Sequence, residues 1–151
     1  MTHREPARGR AQRKQDVLEH LEKDTDAWVS TASADGVPTL VPLSFVWDRE
    51  TLLMATRRTN PTAVNVTPTG QARIALGTTR DVVLIEATAE LIEGADLPAG
   101  SGEAFAAKLG WDLRGRSAWV YLRFTPYAVR AWREENELAG RELMTDGRWL
   151  E

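Results

Sequence analysis

The chain has 151 residues, 42% of them apolar, which suits one globular domain with a real hydrophobic core. It contains no cysteine and only two histidines, His3 and His20. This composition excludes disulfides and thiolate chemistry, and it argues against a histidine general base or a histidine-rich metal site. We therefore predict no catalytic side chain and no metal ligand; if the protein is an enzyme, a bound cofactor is expected to carry the chemistry.

The charge is unevenly distributed along the chain. The net charge is −3, but residues 1–14 carry +4, which leaves −7 on the remainder. Residues 1–12 are predicted to form a disordered basic arm, and residues 13–151 a single domain. A basic arm can contact nucleic acid, but no basic face or recognised motif follows it, so nucleic-acid binding is not expected. No apolar run suits a membrane span or a secretory signal, so we expect a cytoplasmic protein without membrane contact.

Up to residue 57, the chain is predicted to form one short helix and then three strands. Residues 13–23 have the apolar spacing of an amphipathic helix. Three strands are expected next, over residues 27–33, 37–47 and 51–57, the first two joined by a tight turn at Asp35-Gly36. Pro38 and Pro42 cannot donate a backbone hydrogen bond, so they indicate an edge, a bulge or a change of pairing partner.

The second half of the chain is also predicted to consist mostly of strands. Strands are expected over residues 71–77, 81–92, 118–124 and 127–133, with the last two separated at Thr125-Pro126. A helix is predicted over residues 103–109, and a closing hairpin over residues 142–150 around Asp146-Gly147. The whole pattern predicts an α+β or mostly β domain, and closure into a barrel is favoured because it removes sheet edges.

The third strand leads into a turn with the chemistry of an anion site. The segment Thr51–Asn65 reads TLLMATRRTNPTAVN, an apolar strand that ends in Arg57 and Arg58. Asn60 then precedes Pro61, a combination typical of a helix N-terminus, whose free N–H groups favour phosphate. Two arginines and the hydroxyls of Thr56, Thr59 and Thr62 would surround the same point. The same spacing equally fits an ordinary capped helix with solvated arginines.

Three consecutive stretches resemble one known superfamily. They read VPTLVPLSFVWDRETLLMATRRTNPTAVNV, QARIALG and DVVLIEATAEL. Their order is similar to that of the pyridoxamine 5′-phosphate oxidase-like superfamily, over about Ala27 to Leu91. The tail from Tyr121 to Leu150 is similar to a continuation seen in actinobacterial members. The resemblance implies an FMN-binding type of split β-barrel, mostly β (α+β), with six to seven strands and a few short helices.

The resemblance also implies a ligand, a partner and a set of site residues. It implies a homodimer that holds FMN, or alternatively the deazaflavin coenzyme F-420, in clefts at its interface. The phosphate would sit at the strand-to-helix turn, and the backbone of the second strand would lie beside the ring. The implied cofactor-binding residues are Leu43, Ser44, Thr56, Arg57, Arg58, Asn60, Thr62 and Ala63. Asn60-Pro61-Thr62 replaces the usual cationic residues, so either Arg57 and Arg58 supply the charge or binding is weaker.

The sequence leaves two interpretations open for three aromatic residues. Trp119, Tyr121 and Trp132 either wall the ring from the partner subunit or pack in the core or the dimer interface. Arg133 and Arg141 are isolated, and the substrate-phosphate pattern of the pyridoxal-forming members is missing, so vitamin B6 oxidase activity is not expected.

The leading hypothesis is hydride transfer between the cofactor ring and a small-molecule substrate. The alternatives are a cofactor carrier or sensor without turnover, or a cofactor-free dimeric module.

Overall fold

The computed structural model describes residues 5–151. Residues 1–4 of the predicted basic arm lie outside this range. Helix α1 spans Arg10–Lys23 and so begins three residues before the predicted start at residue 13. The reason lies in the C-terminal part of the chain, where Arg8 forms a bidentate hydrogen-bonded pair with the Glu137 carboxylate. The buried Arg13 donates to the carbonyls of Ala131 and Glu137, which holds the first turn of α1 against the barrel.

The described residues contain eight strands and three α-helices. The strands are β1 Asp26–Ala32, β2 Pro38–Asp48, β3 Thr51–Arg57, β4 Gln71–Thr78, β5 Asp81–Ile92, β6 Trp119–Trp132, β7 Glu142–Thr145 and β8 Arg148–Trp149. Helix α2 spans Pro61–Thr69 and helix α3 spans Ser101–Leu109. Short 3-10 turns lie at Gly94–Asp96 and Glu135–Glu137. None of the helices described within residues 5–151 is long and apolar enough to cross a membrane.

Six of the strands close on themselves. The order is β3-β2-β1-β4-β5-β6, every pairing is antiparallel, and β6 pairs back onto β3 to complete the barrel. The β7–β8 hairpin extends from β6 outside the closed ring and turns at Asp146 and Gly147, both with positive φ. This arrangement confirms the predicted split barrel of mostly β structure with short helices.

Strand β6 differs from its prediction. It is one strand from Trp119 to Trp132, whereas the sequence indicated two strands broken at Thr125-Pro126. Pro126 pairs with Ala87 at a bulge, where a residue that lacks an N–H donor is tolerated. The first half of β6 lies between β5 and β3, and its second half lies between β5 and β7. The proline therefore marks a change of neighbour and not the end of the strand.

Strand β3 is buried on both faces, which explains its continuous apolar run. Leu52 and Met54 point into the barrel, where they join the main core cluster. Leu53 and Ala55 point the other way, into a second cluster beneath α3 that also contains Phe105. A strand covered on both faces needs apolar side chains at consecutive positions, which removes the usual alternation.

The barrel is split between β2 and β3. The two strands pair over only four residue pairs, from Asp48↔Thr51 to Phe45↔Met54. Beyond that point β2 continues along β1 as far as Pro38, while β3 continues along β6 as far as Arg57. The strands therefore diverge, and a cleft opens between them.

Candidate cofactor site

The space between the diverging strands is a cavity of about 310 Å³, which we call the split cleft. Its lining residues are Pro42, Leu43, Ser44, Ala55, Thr56, Arg57, Asn60, Trp111 and Trp119. Five of them belong to the set predicted from the sequence, namely Leu43, Ser44, Thr56, Arg57 and Asn60. The other three predicted residues, Arg58, Thr62 and Ala63, do not line the cleft.

The two strands bring unpaired backbone edges to the cleft. Leu43 pairs with Ala27 on the β1 side, and Ala55 pairs with Tyr121 on the β6 side. Within the described residues, the β2–β3 ladder stops at Phe45, so the facing edges of these segments have no strand partner. Backbone N–H and C=O groups require hydrogen-bond partners, so these edges can bind the heteroatoms of a planar ring.

Two tryptophans form one wall of the cleft. The rings of Trp111 and Trp119 meet edge to face, with centroids 5.7 Å apart and an interplanar angle of 90°. The guanidinium of Arg57 lies 5.1 Å from the centroid of the Trp119 ring. Trp111 also packs against Phe105 of α3, at 5.9 Å between centroids. This wall gives the cleft an apolar surface that ends in a positive charge.

The aromatic residues singled out from the sequence have three different placements. Trp119 lines the cleft of its own chain. Tyr121 is buried in the second core cluster, where its hydroxyl accepts a hydrogen bond from the Leu113 amide at 3.2 Å and burial raises its pKa. Trp132 lies at the other end of β6, beneath the guanidinium of Arg141. Trp111 was missed because it follows the helix-ending Gly110 in a segment without periodicity.

The start of helix α2 is where the sequence predicted it, with Asn60 at the N-cap and Pro61 at the first position. The Asn60 side chain does not cap the helix; its amide donates to Thr56 Oγ1 at 2.8 Å. No side chain of the described residues caps α2, and its first turn holds no acidic residue. Thr62 and Ala63 are almost fully buried and do not line the cleft, whereas Asn60 does.

The adjacent arginines Arg57 and Arg58 have different surroundings. Arg58 forms a bidentate pair with the Glu93 carboxylate at 2.6 and 2.7 Å, and it also donates to the Ser117 carbonyl. The hydrogen bond from Arg58 lowers the pKa of Glu93. Arg57 has no ion-pair partner within residues 5–151 and is the cationic side chain among the cleft-lining residues. The structure thus leaves one of the two predicted arginines available to an anion.

No candidate metal centre accompanies the cleft in the described part of the chain. Residues 5–151 contain no group of three or more histidine, cysteine, aspartate or glutamate side chains that could hold a metal ion. The chemical resources of the cleft are therefore its backbone edges, two tryptophans, hydroxyl and amide groups, and Arg57.

Comparison with known proteins assigns a family. A family model described as pyridoxamine 5′-phosphate oxidase matches residues 14–133. A conserved hypothetical protein from Mycobacterium tuberculosis has 16% identity and a TM-score of 0.67, over 90% of this chain and 92% of that one. General stress protein 26 from Bacillus anthracis str. Sterne has 18% identity and a TM-score of 0.60, over 81% of this chain and 95% of that one. An F420 reductase has 16% identity and a TM-score of 0.59, over 74% and 93%. At these identities the structures share the fold alone, and no curated protein matched in sequence.

Proposed function

Because this chain belongs to the pyridoxamine 5′-phosphate oxidase family, we propose that its split cleft binds FMN and that the protein is an oxidoreductase. Hydride would pass between the flavin and a small-molecule substrate. The observation that carries this proposal is the convergence of two unpaired strand edges, a tryptophan wall and Arg57 in one cavity. A planar, hydrogen-bonding ring with a phosphate tail matches those three features together.

The residues of the cleft fit such a group in separate roles. The backbone of Leu43, Ser44 and Ala55 would bind the ring edge, and Trp111 would shield its face from water. When bound, the cofactor supplies a ring that accepts or donates hydride. The described cleft lining has no histidine, cysteine or carboxylate, so the protein's contribution is positioning and exclusion of water.

Phosphate binding would rest on a small number of groups at the outer end of the cleft. Arg57 extends beyond Met54, the last β3 residue that pairs with β2, and Asn60 at the start of α2 lines the same cleft. The Arg57 guanidinium can form charge-assisted hydrogen bonds with a phosphate, and stacking on Trp119 restricts its position. With Arg58 paired to Glu93, one arginine would take the part that the sequence suggested for two.

A homodimer would complete the site. Trp28 and Leu40 are 52% and 63% exposed on the outer face of β1 and β2, a large apolar area for a free surface. Trp28 lies opposite Pro42 in the β1–β2 ladder, and Pro42 lines the cleft, so this apolar area is continuous with the site. A second copy seated on it would cover the outer side of the cleft and keep water from the ring.

The two neighbouring arginines provide a matched test of this function. FMN fluorescence quenching would give dissociation constants for the wild type, Arg57→Ala and Arg58→Ala. Arg57→Ala is expected to weaken FMN binding about tenfold or more, because a charge-assisted hydrogen bond to phosphate is lost. Arg58→Ala removes the same charge from the next residue and is expected to change the constant less than about twofold. Equal constants for all three proteins would remove Arg57 from the site.

Coenzyme F-420 is the second candidate cofactor, since an F420 reductase shares this fold. The same cleft would take its deazaflavin ring, and a parallel titration with F-420 distinguishes the two. A cofactor that binds tightly but is reduced by no cellular reductant would favour a carrier or sensor. Binding of neither cofactor would favour a dimeric module, the alternative suggested by Asn60-Pro61-Thr62.

A further inference from the structure

A hydrogen-bonded pair of side chains lies at the inner end of the split cleft. Ser44 Oγ donates to Asp26 Oδ1 at 2.6 Å. The two residues are direct cross-strand partners in the β1–β2 ladder, so the strand register holds them together. Ser44 lines the cleft and immediately precedes Phe45, the last β2 residue that pairs with β3. The pair therefore lies at the narrow end, away from Arg57.

This hydrogen bond determines what Ser44 can offer to a ligand. A serine hydroxyl has one proton to donate and two lone pairs that accept. The proton is directed to the Asp26 carboxylate, which can only accept. The remaining capacity of Ser44 Oγ is to accept a hydrogen bond, so its interaction with a ligand requires a donor on that ligand.

We propose that Ser44 and Asp26 make the inner end of the split cleft specific for a ring edge that donates an N–H hydrogen bond. Ser44 contacts the ring, and Asp26 is a positioning residue that fixes the direction of the Ser44 proton. The inference rests on the proposed function and deepens it, because the imide N–H of a flavin is such a donor. The cleft then selects a ligand with an N–H donor at its inner end and an anion near Arg57.

The surrounding charges leave this pair intact. Lys108 is a nearby cation, but its Nζ donates to the Asp24 carbonyl at 2.6 Å and lies 4.3 Å from the centroid of the Phe45 ring. Within residues 5–151, Asp26 forms no ion pair, so its carboxylate remains available to the Ser44 hydroxyl.

The test compares FMN with its N3-methyl derivative, which differs by the loss of the imide N–H. The dissociation constants of both would be measured for the wild type, Ser44→Ala, Ser44→Thr and Asp26→Ala. Ser117→Ala is the control, since Ser117 is exposed, lies outside the split cleft and, within the described residues, uses only its backbone carbonyl in a hydrogen bond. We expect the wild type to prefer FMN about tenfold, the upper value of one net hydrogen bond to the ring edge. Ser44→Ala should abolish the preference, while Ser44→Thr and Ser117→Ala should retain it.

Asp26→Ala tests whether the preference depends on the direction of the Ser44 hydroxyl proton and not only on the space that the Ser44 side chain leaves for the ring. It leaves the Ser44 side chain unchanged but frees its proton, so the preference should fall to about threefold or less. An unchanged preference in Ser44→Ala or Asp26→Ala would overturn the inference. Equal binding of FMN and N3-methyl-FMN by the wild type, with Arg57→Ala still weakening both, would overturn it while leaving the proposed function in place. Binding of neither flavin to the wild type would overturn both.

Discussion

The two ends of the β2–β3 hairpin use polar groups in opposite ways. At the closed end, the guanidinium of the buried Arg123 donates to Thr51 Oγ1 at 2.5 Å, to Ser101 Oγ at 3.1 Å and to Asp48 Oδ2 at 3.4 Å. At the open end, the same two strands separate, and their facing backbone edges have no strand partner in the described structure. The closed end satisfies its polar groups within the chain, whereas the open end presents backbone edges to a cavity.

This difference indicates that the closed end stabilises the fold and that the open end can bind a ligand. Within residues 5–151, no buried side-chain nitrogen or oxygen lacks a hydrogen-bond partner, so the polar groups of the closed end are committed to the fold. At the open end, the facing backbone edges and the Arg57 guanidinium remain free for a ligand. Substitutions at the closed end should therefore change the free energy of unfolding, and substitutions at the open end should change cofactor affinity.

The largest effect is expected from Arg123→Met at the closed end. The substitution leaves the largely buried Asp48 carboxylate without its cation, which should cost about 3 kcal/mol of unfolding free energy. Urea unfolding measures this loss. Arg80→Met, which breaks the exposed pair with Glu134, should cost less than about 0.5 kcal/mol. A loss below about 1 kcal/mol in Arg123→Met would show that the closed-end network does not stabilise the fold.

At low pH, the protein should lose the stability that the Arg8–Glu137 ion pair contributes. The hydrogen bonds from Arg8 lower the pKa of Glu137 from 4.5 to about 2. The stability from this pair is present above pH 4.5 and is lost as the pH falls from 4.5 towards 2. Comparing urea unfolding at pH 7 and pH 3, Glu137→Gln should reduce the pH dependence by an amount of the order of 2 kcal/mol.

Glu134→Gln is the control for this acid effect, because its partner Arg80 is exposed. It should leave the pH dependence close to that of the wild type. If Glu137→Gln lost as much stability as the wild type between pH 7 and pH 3, the Arg8–Glu137 pair would not be the source of the pH dependence.

A smaller and different effect is expected from Trp119→Leu at the open end. The substitution removes the ring on which Arg57 stacks, so FMN binding should weaken about fivefold, equivalent to about 1 kcal/mol. Fluorescence titration measures this change, and urea unfolding should show a comparable or smaller loss of stability. Unchanged FMN affinity would mean that Trp119 is only a packing residue.

The smallest effect is expected at the tip of the same hairpin. Arg49 and Glu50 both have positive φ values, 53° and 60°, in the tight turn that joins β2 to β3. Glycine adopts this conformation without strain, so Glu50→Gly should stabilise the protein by about 0.5 kcal/mol. A measured destabilisation in thermal unfolding would show that the Glu50 side chain has a contact that outweighs the strain. FMN affinity should not change.

Local signals in the sequence predicted much of the fold. The Asn60-Pro61 pair correctly gives the start of α2, and Asp146-Gly147 correctly gives the last hairpin, because the required backbone geometry depends on the residues themselves. Pro126 misled the prediction, since a proline at a bulge inside a strand has the same sequence signal as a proline that ends one.

The site was less predictable, because it depends on long-range contacts. Nothing in the sequence distinguishes Arg57 from Arg58; the difference arises because Glu93, 35 residues further along, pairs with Arg58. Trp111 reaches the cleft only because α3 packs beneath the β3 strand. The Ser44–Asp26 pair depends on the register of two strands, which a sequence pattern does not fix to the residue.

We propose that the split cleft binds a flavin-type cofactor. The most direct test is the visible absorption spectrum of the purified protein, followed by titration with FMN and with coenzyme F-420. We expect either a bound chromophore or saturable binding of FMN that is weakened by Arg57→Ala and not by Arg58→Ala. A colourless protein that binds neither cofactor would contradict it and leave the barrel as a binding or structural module.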